Sequence, residues 1–123
     1  MKLKKQIEKQ EKKSSDFENE YLDIIKYFYE TCHANVETKD NDGKTPINCA
    51  SEKGHLEVVK YLYETCHANV ETKGNDGNTP INNASEKGCL EVVKYLYETC
   101  HAELTHKTKE FKEYLHSKDH SSI

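Results

Sequence analysis

A cysteine is followed directly by a histidine at three places in the chain, Cys32-His33, Cys66-His67 and Cys100-His101. Thiolate sulfur and imidazole nitrogen are both zinc ligands, and a cysteine beside a histidine can also supply a nucleophile and its base. The three pairs therefore raise two chemical hypotheses, a Cys/His metal-binding protein and a cysteine-dependent enzyme. Which of the two hypotheses holds depends on where the fold places the three Cys-His pairs.

The pairs recur because the sequence itself recurs with a period of 34 residues. Residues 42–75 align without a gap on residues 76–109 and differ from them at nine positions. Half of another copy precedes them, since residues 21–41 match residues 55–75. A fixed period of this length is typical of a solenoid, in which units stack because one unit alone cannot bury its apolar face.

Each unit encodes two helices. Asp42-Gly43 predicts a turn, and Thr45-Pro46 predicts a helix start, because a threonine hydroxyl can cap free amides and proline fits the first helical turn. Gly54 is expected to end this short helix. A second helix is predicted from about residue 55, with a buried stripe at helical spacing formed by Leu56, Val59, Leu62 and Tyr63. The segment "TCHANVETK" then returns to the next turn.

These residues resemble an ankyrin repeat. The family pattern D-G-x-T-P-L-H-x-A stands here as "DGKTPINCA" at 42–50, and G-H-L-E-V-V-K-x-L-L stands as "GHLEVVKYLY" at 54–63. The resemblance implies an all-α ankyrin-repeat solenoid of stacked helix-turn-helix units with β-turn fingers. It also implies a protein-recognition scaffold without catalytic residues.

The chain departs from the family pattern at two points. Asn48 and Asn82 replace the usual histidine, and each asparagine can still bond back towards Thr45 or Thr79. The segment 66–69 (Cys-His-Ala-Asn) stands where the family has Gly-Ala-Asp or Gly-Ala-Asn, so a glycine is lost and a residue is added. The added residue explains a period of 34 instead of the usual 33.

The repeat boundaries predict five segments. The next Asp-Gly would fall at residues 110–111, but Glu110-Phe111 stands there, so the repeat pattern has stopped. We expect short helical caps at both ends. The segments are a polar N-terminal helical cap at 1–19, a partial repeat at 20–41 (second helix and return loop), full repeats at 42–75 and 76–109, and a C-terminal capping helix with a frayed tail at 110–123.

Stacking disfavours the metal-binding hypothesis, and the enzyme hypothesis is disfavoured because the side chains of adjacent residues rarely point at each other. Packed helices lie about 8–10 Å apart, which is too far for cysteines and histidines of successive units to share one tetrahedral ion. A disulfide between successive units is disfavoured as well, because its Cα atoms must lie within about 7 Å. We therefore expect the cysteine of each pair to end a helix as a small apolar residue beside a surface histidine, with no metal, no cofactor and no enzymatic activity. The metal-binding protein is kept as a remote alternative.

Composition limits the partners. The net charge is −4 and all 18 basic side chains are lysines, which disfavours a nucleic-acid partner. No apolar run approaches the roughly 18 residues of a membrane span, and the N-terminus has no secretory signal, so we expect no membrane insertion. We expect a cytoplasmic protein, with a nuclear one as the alternative, whose five cysteines are reduced. No small-molecule substrate is indicated, and a monomer is expected.

The resemblance also implies where a protein partner would bind, at the turn tips and on the exposed side of each first helix. The matching positions are called the turn-tip surface and comprise Asn41, Asp42, Lys44, Glu52 and Lys53, followed by Asn75, Asp76, Asn78, Glu86 and Lys87. Only Lys44, replaced by Asn78, distinguishes the two sets. Because it repeats the same groups, such a surface suits a repetitive or extended partner. We expect its affinity for that partner to be weak. The alternative is a structural spacer, or a fragment of a longer array, with no partner of its own.

Two tyrosine ladders leave a further choice open. They comprise Tyr27, Tyr61 and Tyr95, and Tyr29, Tyr63 and Tyr97. Tyrosine is enriched at binding hot spots, so the ladders could form a recognition stripe. The interpretation we favour is that they are residues at the edge of the core, with packed rings and hydroxyls that reach water.

Overall fold

The computed structural model describes residues 14–105, 108–111 and 113. Five helices are α1 (Ser14–Glu30), α2 (Pro46–Lys53), α3 (Leu56–Glu64), α4 (Pro80–Glu86) and α5 (Leu90–Glu98). Residues 108–111 and 113 are also helical, and no strand occurs among the described residues. The predicted all-α class is confirmed. Residues 1–13 of the expected N-terminal cap and residues 114–123 of the C-terminal one lie outside the described residues.

The chain divides into two compact units, Met1–Ala34 and Asn35–Ile123. The first unit contains α1, a single helix of 17 residues that runs through the expected boundary between segments 1–19 and 20–41. The second unit contains α2 to α5, arranged as two helix pairs. Within it α2 packs on α3 and on α4, while α5 packs on α4 and on α3.

The start of α2 follows the predicted chemistry. Thr45 is the extended residue before the helix, with φ of −87°, and Pro46 is in the first turn. Asn48 Oδ1 accepts hydrogen bonds from the Thr45 N–H (3.1 Å) and the Thr45 hydroxyl (2.8 Å). The bond predicted from Asn48 back to Thr45 is therefore present. The helix ends at Gly54, whose φ of 74° is the left-handed value that favours glycine.

In the second full repeat the equivalent asparagine bonds elsewhere. Asn82 Oδ1 accepts a hydrogen bond of 2.6 Å from the Thr105 hydroxyl, and Thr79 Oγ1 has no hydrogen-bond partner among the described residues. The prediction that Asn82 bonds back to Thr79 is therefore wrong. The physical reason is the end of the repeat pattern, because Thr105 precedes the helical residues 108–111 and its N–H donates to Thr108 Oγ1 at 2.7 Å.

The core is thin and lies between the helix pairs. Ile47 and Ala50 of α2 and Ile81 and Ala84 of α4 are fully buried, as the spacing of three predicted. In α3 the fully buried residues are Val58, Val59 and Leu62, whereas Leu56 and Tyr63 are only half-buried. The predicted stripe missed Val58 because α3 packs on both α2 and α5, which requires a wider apolar face than one stripe.

The return loop after each second helix contains a histidine in the left-handed conformation. The φ values of His33, His67 and His101 are 54°, 56° and 55°. The turn closes with a hydrogen bond from the following alanine, as in the Ala68 N–H to the Leu62 carbonyl at 2.9 Å. Histidine thus occupies a backbone position that is usually glycine, and it is one of the residue types enriched there.

Candidate protein-binding surface

The first turn tip is held by a side chain that the sequence prediction missed. Asp40 Oδ1 accepts hydrogen bonds of 2.9 Å from the N–H groups of Asp42 and Lys44. Gly43 turns the chain with φ of 74°, and its N–H donates to the Asp40 carbonyl. The hydrogen bond from the Lys44 N–H is the main cause that lowers the pKa of Asp40. An aspartate two residues before Asp42-Gly43 is a recognisable turn signal.

The second turn tip is built differently, because Gly74 stands where Asp40 would recur. Asp76 fills the role that Asp40 has in the first tip, because its Oδ1 accepts a hydrogen bond of 3.0 Å from the Asn78 N–H. This hydrogen bond is the main cause that lowers the pKa of Asp76. A Cβ at position 74 would lie 3.2 Å from Lys44 Cγ, so the glycine allows a close approach of the two repeats.

The two turn tips are bonded to each other. The Asn75 N–H donates to the Asp42 carbonyl at 2.8 Å, and Asn75 Nδ2 donates to the Asn41 carbonyl at 3.2 Å. A Cβ on Gly43 would overlap the side chain of Asn75. The structure therefore brings Asn41, Asp42 and Asn75 together and sets the register of one tip against the next.

The charged members of the turn-tip surface interact within each repeat. Lys44 Nζ lies 3.2 Å from Glu52 Oε1, and the lysine side chain is only 15% exposed. The hydrogen bond to Glu52 is the main cause that raises the pKa of Lys44. In the next repeat Asn78 Nδ2 donates to Asp76 Oδ2 at 3.2 Å and to Glu86 Oε2 at 3.3 Å. Asparagine carries no charge, so Glu86 faces a neutral amide where Glu52 faces an ammonium group.

Lys53 and Lys87 complete the turn-tip surface at the ends of α2 and α4. Both are exposed. Neither is in an ion pair in the part of the chain that the structure describes. Their ammonium groups are consequently better placed to reach a partner than that of Lys44.

Two glutamates in the return segments link the repeats and were also missed. Glu37 Oε2 accepts from the Asn69 N–H at 2.9 Å, and Glu71 Oε2 accepts from the Glu103 N–H at 2.8 Å. The recurrence of Val-Glu-Thr at 36–38 and 70–72 was the available signal. These bonds position the return segments of neighbouring repeats and, through them, the turns that follow.

The cysteine–histidine pairs do not assemble into a chemical site. All five cysteines are free thiols, Cys66 and Cys100 are buried, and Cys32 is exposed. Burial raises the pKa of Cys100 to about 12, which disfavours the thiolate needed by a nucleophile or a metal ligand. Across residues 14–105, 108–111 and 113, no three histidine, cysteine, aspartate or glutamate residues are grouped as metal ligands would be.

Tyr63 of α3 and Tyr95 of α5 pack against each other. The rings of Tyr63 and Tyr95 are 6.3 Å apart in an edge-to-face arrangement. The Tyr95 hydroxyl donates to Glu64, and Lys60 Nζ lies 5.8 Å from the centre of the Tyr95 ring. Burial, followed by this hydrogen bond, raises the pKa of Tyr95. These contacts favour the core-edge interpretation for Tyr63 and Tyr95.

Among the described residues, none of the helices combines the length and apolar character required of a membrane span.

Comparisons with known proteins agree with this architecture. The family described as ankyrin repeats (3 copies) matches residues 15–108. No curated protein matches the sequence. Among solved structures, one similar chain comes from the complex of the Bd0816 predatory endopeptidase of Bdellovibrio bacteriovorus with the immunity protein Bd3460. Its TM-score is 0.57 and its identity 27%, over 60% of this chain and 38% of that chain.

This chain therefore spans well under half of that neighbour's length. Ankyrin repeats are in general protein-interaction modules and are typically non-enzymatic. The family match extends over three repeats and most of the sequence, and it includes both full repeats whose turns and helix pairs are described above. The protein belongs to the ankyrin-repeat family.

Proposed function

We propose that this chain is a non-catalytic protein–protein interaction module that binds a protein partner through its turn-tip surface. The observation that carries the proposal is the pair of hydrogen bonds from Asn75 to Asp42 and Asn41. They hold successive tips in one register, so the side chains around them are presented as a pre-organised array, which lowers the entropic cost of binding. The solved neighbour, which comes from a complex of two proteins, supports the same kind of function.

The two lysines at the helix ends are the main candidate contacts. Lys53 and Lys87 are exposed, whereas Lys44 is held by Glu52 and contributes to the shape of the tip. Glu86 faces the neutral Asn78, whereas Glu52 faces the cationic Lys44, so the two tips distribute their charge differently. A partner with alternating acidic and basic groups along an extended segment fits this arrangement. The binding is expected to be weak, because the ten positions include no large aromatic anchor.

We further propose that the chain has no catalytic activity, nucleic-acid partner, membrane insertion or small-molecule substrate, and that it is a monomer in the cytoplasm or the nucleus. The raised pKa of Cys100 and the exposure of the neighbouring His101 argue against a nucleophile–base pair. The absence of arginine from the sequence argues against a phosphate-binding surface.

A second candidate function is a structural spacer or a fragment of a longer ankyrin array. One observation favours it. Lys44 and Glu52 bond to each other, as do Asn78, Asp76 and Glu86, so much of the polar surface is already satisfied internally. A surface of this kind can hold an array together without binding a partner.

A pull-down with charge-reversed variants separates the two functions. The test variant carries Lys53→Glu and Lys87→Glu, and the matched control carries Lys94→Glu and Lys109→Glu, which change the charge equally at exposed positions outside the turn-tip surface. Circular dichroism first establishes that all versions fold. A protein retained by the native chain and the control but lost from the test variant supports the binding module. Retention of no protein by any version supports the spacer, whereas identical retention by both variants contradicts binding through Lys53 and Lys87 of the turn-tip surface.

A further inference from the structure

Lys53 and Lys87 form a repeated pair within the turn-tip surface, and we call these two residues the lysine row. They occupy the same position of the two full repeats, and both side chains are exposed. The distance between the two lysines and the charges around them determine what kind of partner can bind both at once.

Helices α2 and α4 end in the same way beside the lysine row. Gly54 and Gly88 have φ values of 74° and 71°. The Gly54 N–H donates to the Ser51 carbonyl at 3.2 Å, and the Gly88 N–H donates to the Ser85 carbonyl at 3.1 Å. The backbone therefore places each lysine equivalently on its own helix, and the lysine row repeats with the spacing of the helices.

The ends of α2 and α4 are adjacent. The two helices pack on each other, and a Cβ on Gly54 would lie 3.0 Å from the Cys89 sulfur of the next repeat. The Cys89 thiol also donates a long hydrogen bond of 3.8 Å to the Glu52 carbonyl. Because packed helices lie about 8–10 Å apart, the lysine row has a spacing of about this size.

The charges around the lysine row favour an acidic partner. The neighbouring carboxylates are directed at the turn tips, because Glu52 forms an ion pair with Lys44 and Glu86 accepts a hydrogen bond from Asn78 Nδ2. The two ammonium groups of the lysine row repel each other. A partner that binds both must supply carboxylates, since opposite charges attract at close range.

The spacing also selects the backbone conformation of the partner. In a polyproline II segment, every third residue lies on the same face, and these residues are about 9 Å apart. Residues on one face of a β-strand are about 7 Å apart. An α-helix reaches about 10 Å between residues seven apart, but its apolar face would need an apolar surface. The ten turn-tip positions contain only asparagine, aspartate, lysine and glutamate, so they provide no such surface.

We propose that the lysine row binds an extended, acidic segment of a protein partner in the polyproline II conformation, with a carboxylate at every third residue. This inference rests on the proposed function and names the chemistry of its partner. Each carboxylate forms an exposed ion pair with one lysine. The residues between the carboxylates can be basic, since Asp42 and Asp76 are exposed at the turn tips. The backbone of such a segment stays solvated, so it requires no apolar groove.

Two peptides of equal composition test the spacing. The first has four copies of Pro-Pro-Glu, so its glutamates lie about 9 Å apart on one face. The second has two copies of Pro-Pro-Pro-Pro-Glu-Glu, whose glutamates are adjacent or at least five residues apart. Each is titrated into the full chain and followed by NMR at the amide signals of Gly54 and Gly88, which directly follow the lysines. The Kd of the first peptide is expected to be at least about threefold lower, because it forms two exposed ion pairs instead of one.

Variants of the chain locate the binding. The variant Lys53→Gln, Lys87→Gln is expected to lose the preference for the first peptide. The matched control Lys94→Gln, Lys109→Gln changes exposed lysines outside the turn-tip surface and is expected to keep the preference. Circular dichroism first establishes that both variants fold. Equal Kd values of the two peptides for the native chain, or a preference that persists in the Lys53→Gln, Lys87→Gln variant, would overturn the proposal.

Two further outcomes separate this inference from the proposed function. If neither peptide binds at millimolar concentration, the extended acidic partner is rejected. A protein lost from the Lys53→Glu, Lys87→Glu variant in the pull-down would then still support the binding module. If an alanine-rich helical peptide with glutamates seven residues apart binds more tightly than the first peptide, the lysine row belongs to a helical partner and the extended one is rejected.

Discussion

The amide N–H of Asn75 donates a 2.8 Å hydrogen bond to the carbonyl oxygen of Asp42 and joins the tips of two successive turns. The side-chain amide of the same asparagine donates to the Asn41 carbonyl. The turns are therefore linked through backbone groups, which any sequence could supply, and through one side chain that only certain residues could replace.

Replacement of Gly43 by alanine should destabilise the chain more than the same change at Gly77. Both glycines have positive φ, 74° and 80°, so alanine is strained at either site by about 1 kcal/mol. At Gly43 the new Cβ also overlaps the Asn75 side chain, whereas at Gly77 nothing lies within 4 Å. Urea denaturation should give a free energy of unfolding about 1–3 kcal/mol lower for Gly43→Ala than for Gly77→Ala. Equal decreases in the free energy of unfolding would show that the Asn75 side chain moves away from the new Cβ without a measurable energetic cost.

Removal of the Glu71 carboxylate should weaken the stacking of the two full repeats. Its Oε2 accepts a 2.8 Å hydrogen bond from the Glu103 N–H. Glu71→Ala should lower the free energy of unfolding by about 1 kcal/mol, the usual contribution of such a bond. The matched control is Glu103→Ala, which keeps the backbone donor and should change stability less. A larger loss in the control than in Glu71→Ala would contradict this role.

The left-handed histidines predict a stabilising substitution. His67 has a φ of 56°, which glycine adopts without the steric cost that a side chain incurs. His67→Gly should raise the free energy of unfolding by about 0.5–1 kcal/mol, and His67→Val should lower it, because branched side chains are strained most there. His55 has a φ of −83°, so His55→Gly should destabilise instead. Thermal denaturation of the three variants distinguishes backbone strain from a general effect of losing a histidine.

Acid should weaken the first turn through Asp40. Hydrogen bonds from backbone N–H groups, first that of Lys44, lower the pKa of this carboxyl below its ordinary value of 3.8. The stabilisation is thus complete above about pH 4 and is lost as the pH falls through the lowered pKa of the folded chain. Asp40→Asn keeps an oxygen acceptor that does not titrate. Its melting temperature should fall less than that of the native chain between pH 5 and pH 2, and an equal fall in both chains would contradict this role of Asp40.

The cysteines should differ widely in their reaction with iodoacetamide. Cys32 is exposed, whereas Cys100 is buried and its pKa is raised to about 12. Since the thiolate is the reacting species, Cys32 should be alkylated first and Cys100 last at pH 8 in the folded chain. Mass spectrometry of peptides at successive times measures the order. Urea should abolish the difference, and alkylation of Cys100 as fast as Cys32 before unfolding would contradict the burial seen here.

The repeat and its helices could be predicted because their instructions are local. Thr45-Pro46 starts α2, Gly54 ends it, and the spacing of Ile47 and Ala50 places both in the core. Each of these features depends on a few adjacent residues and on general backbone preferences. The period of 34 then implied stacking, because no single helix pair can cover its own apolar face.

The contacts between repeats could not be predicted in the same way. The burial of Val58, the bond from Asn75 to Asp42 and the bond from Glu103 to Glu71 all depend on the distance and register at which two repeats pack.

The sequence alone determined that the chain builds ankyrin repeats, since each helix and turn is encoded within a few residues. Only the tertiary structure decided which tip atoms meet, that His67 adopts a glycine-like conformation, and that Ile24 and Phe28 stay exposed, because those outcomes depend on what packs against each element.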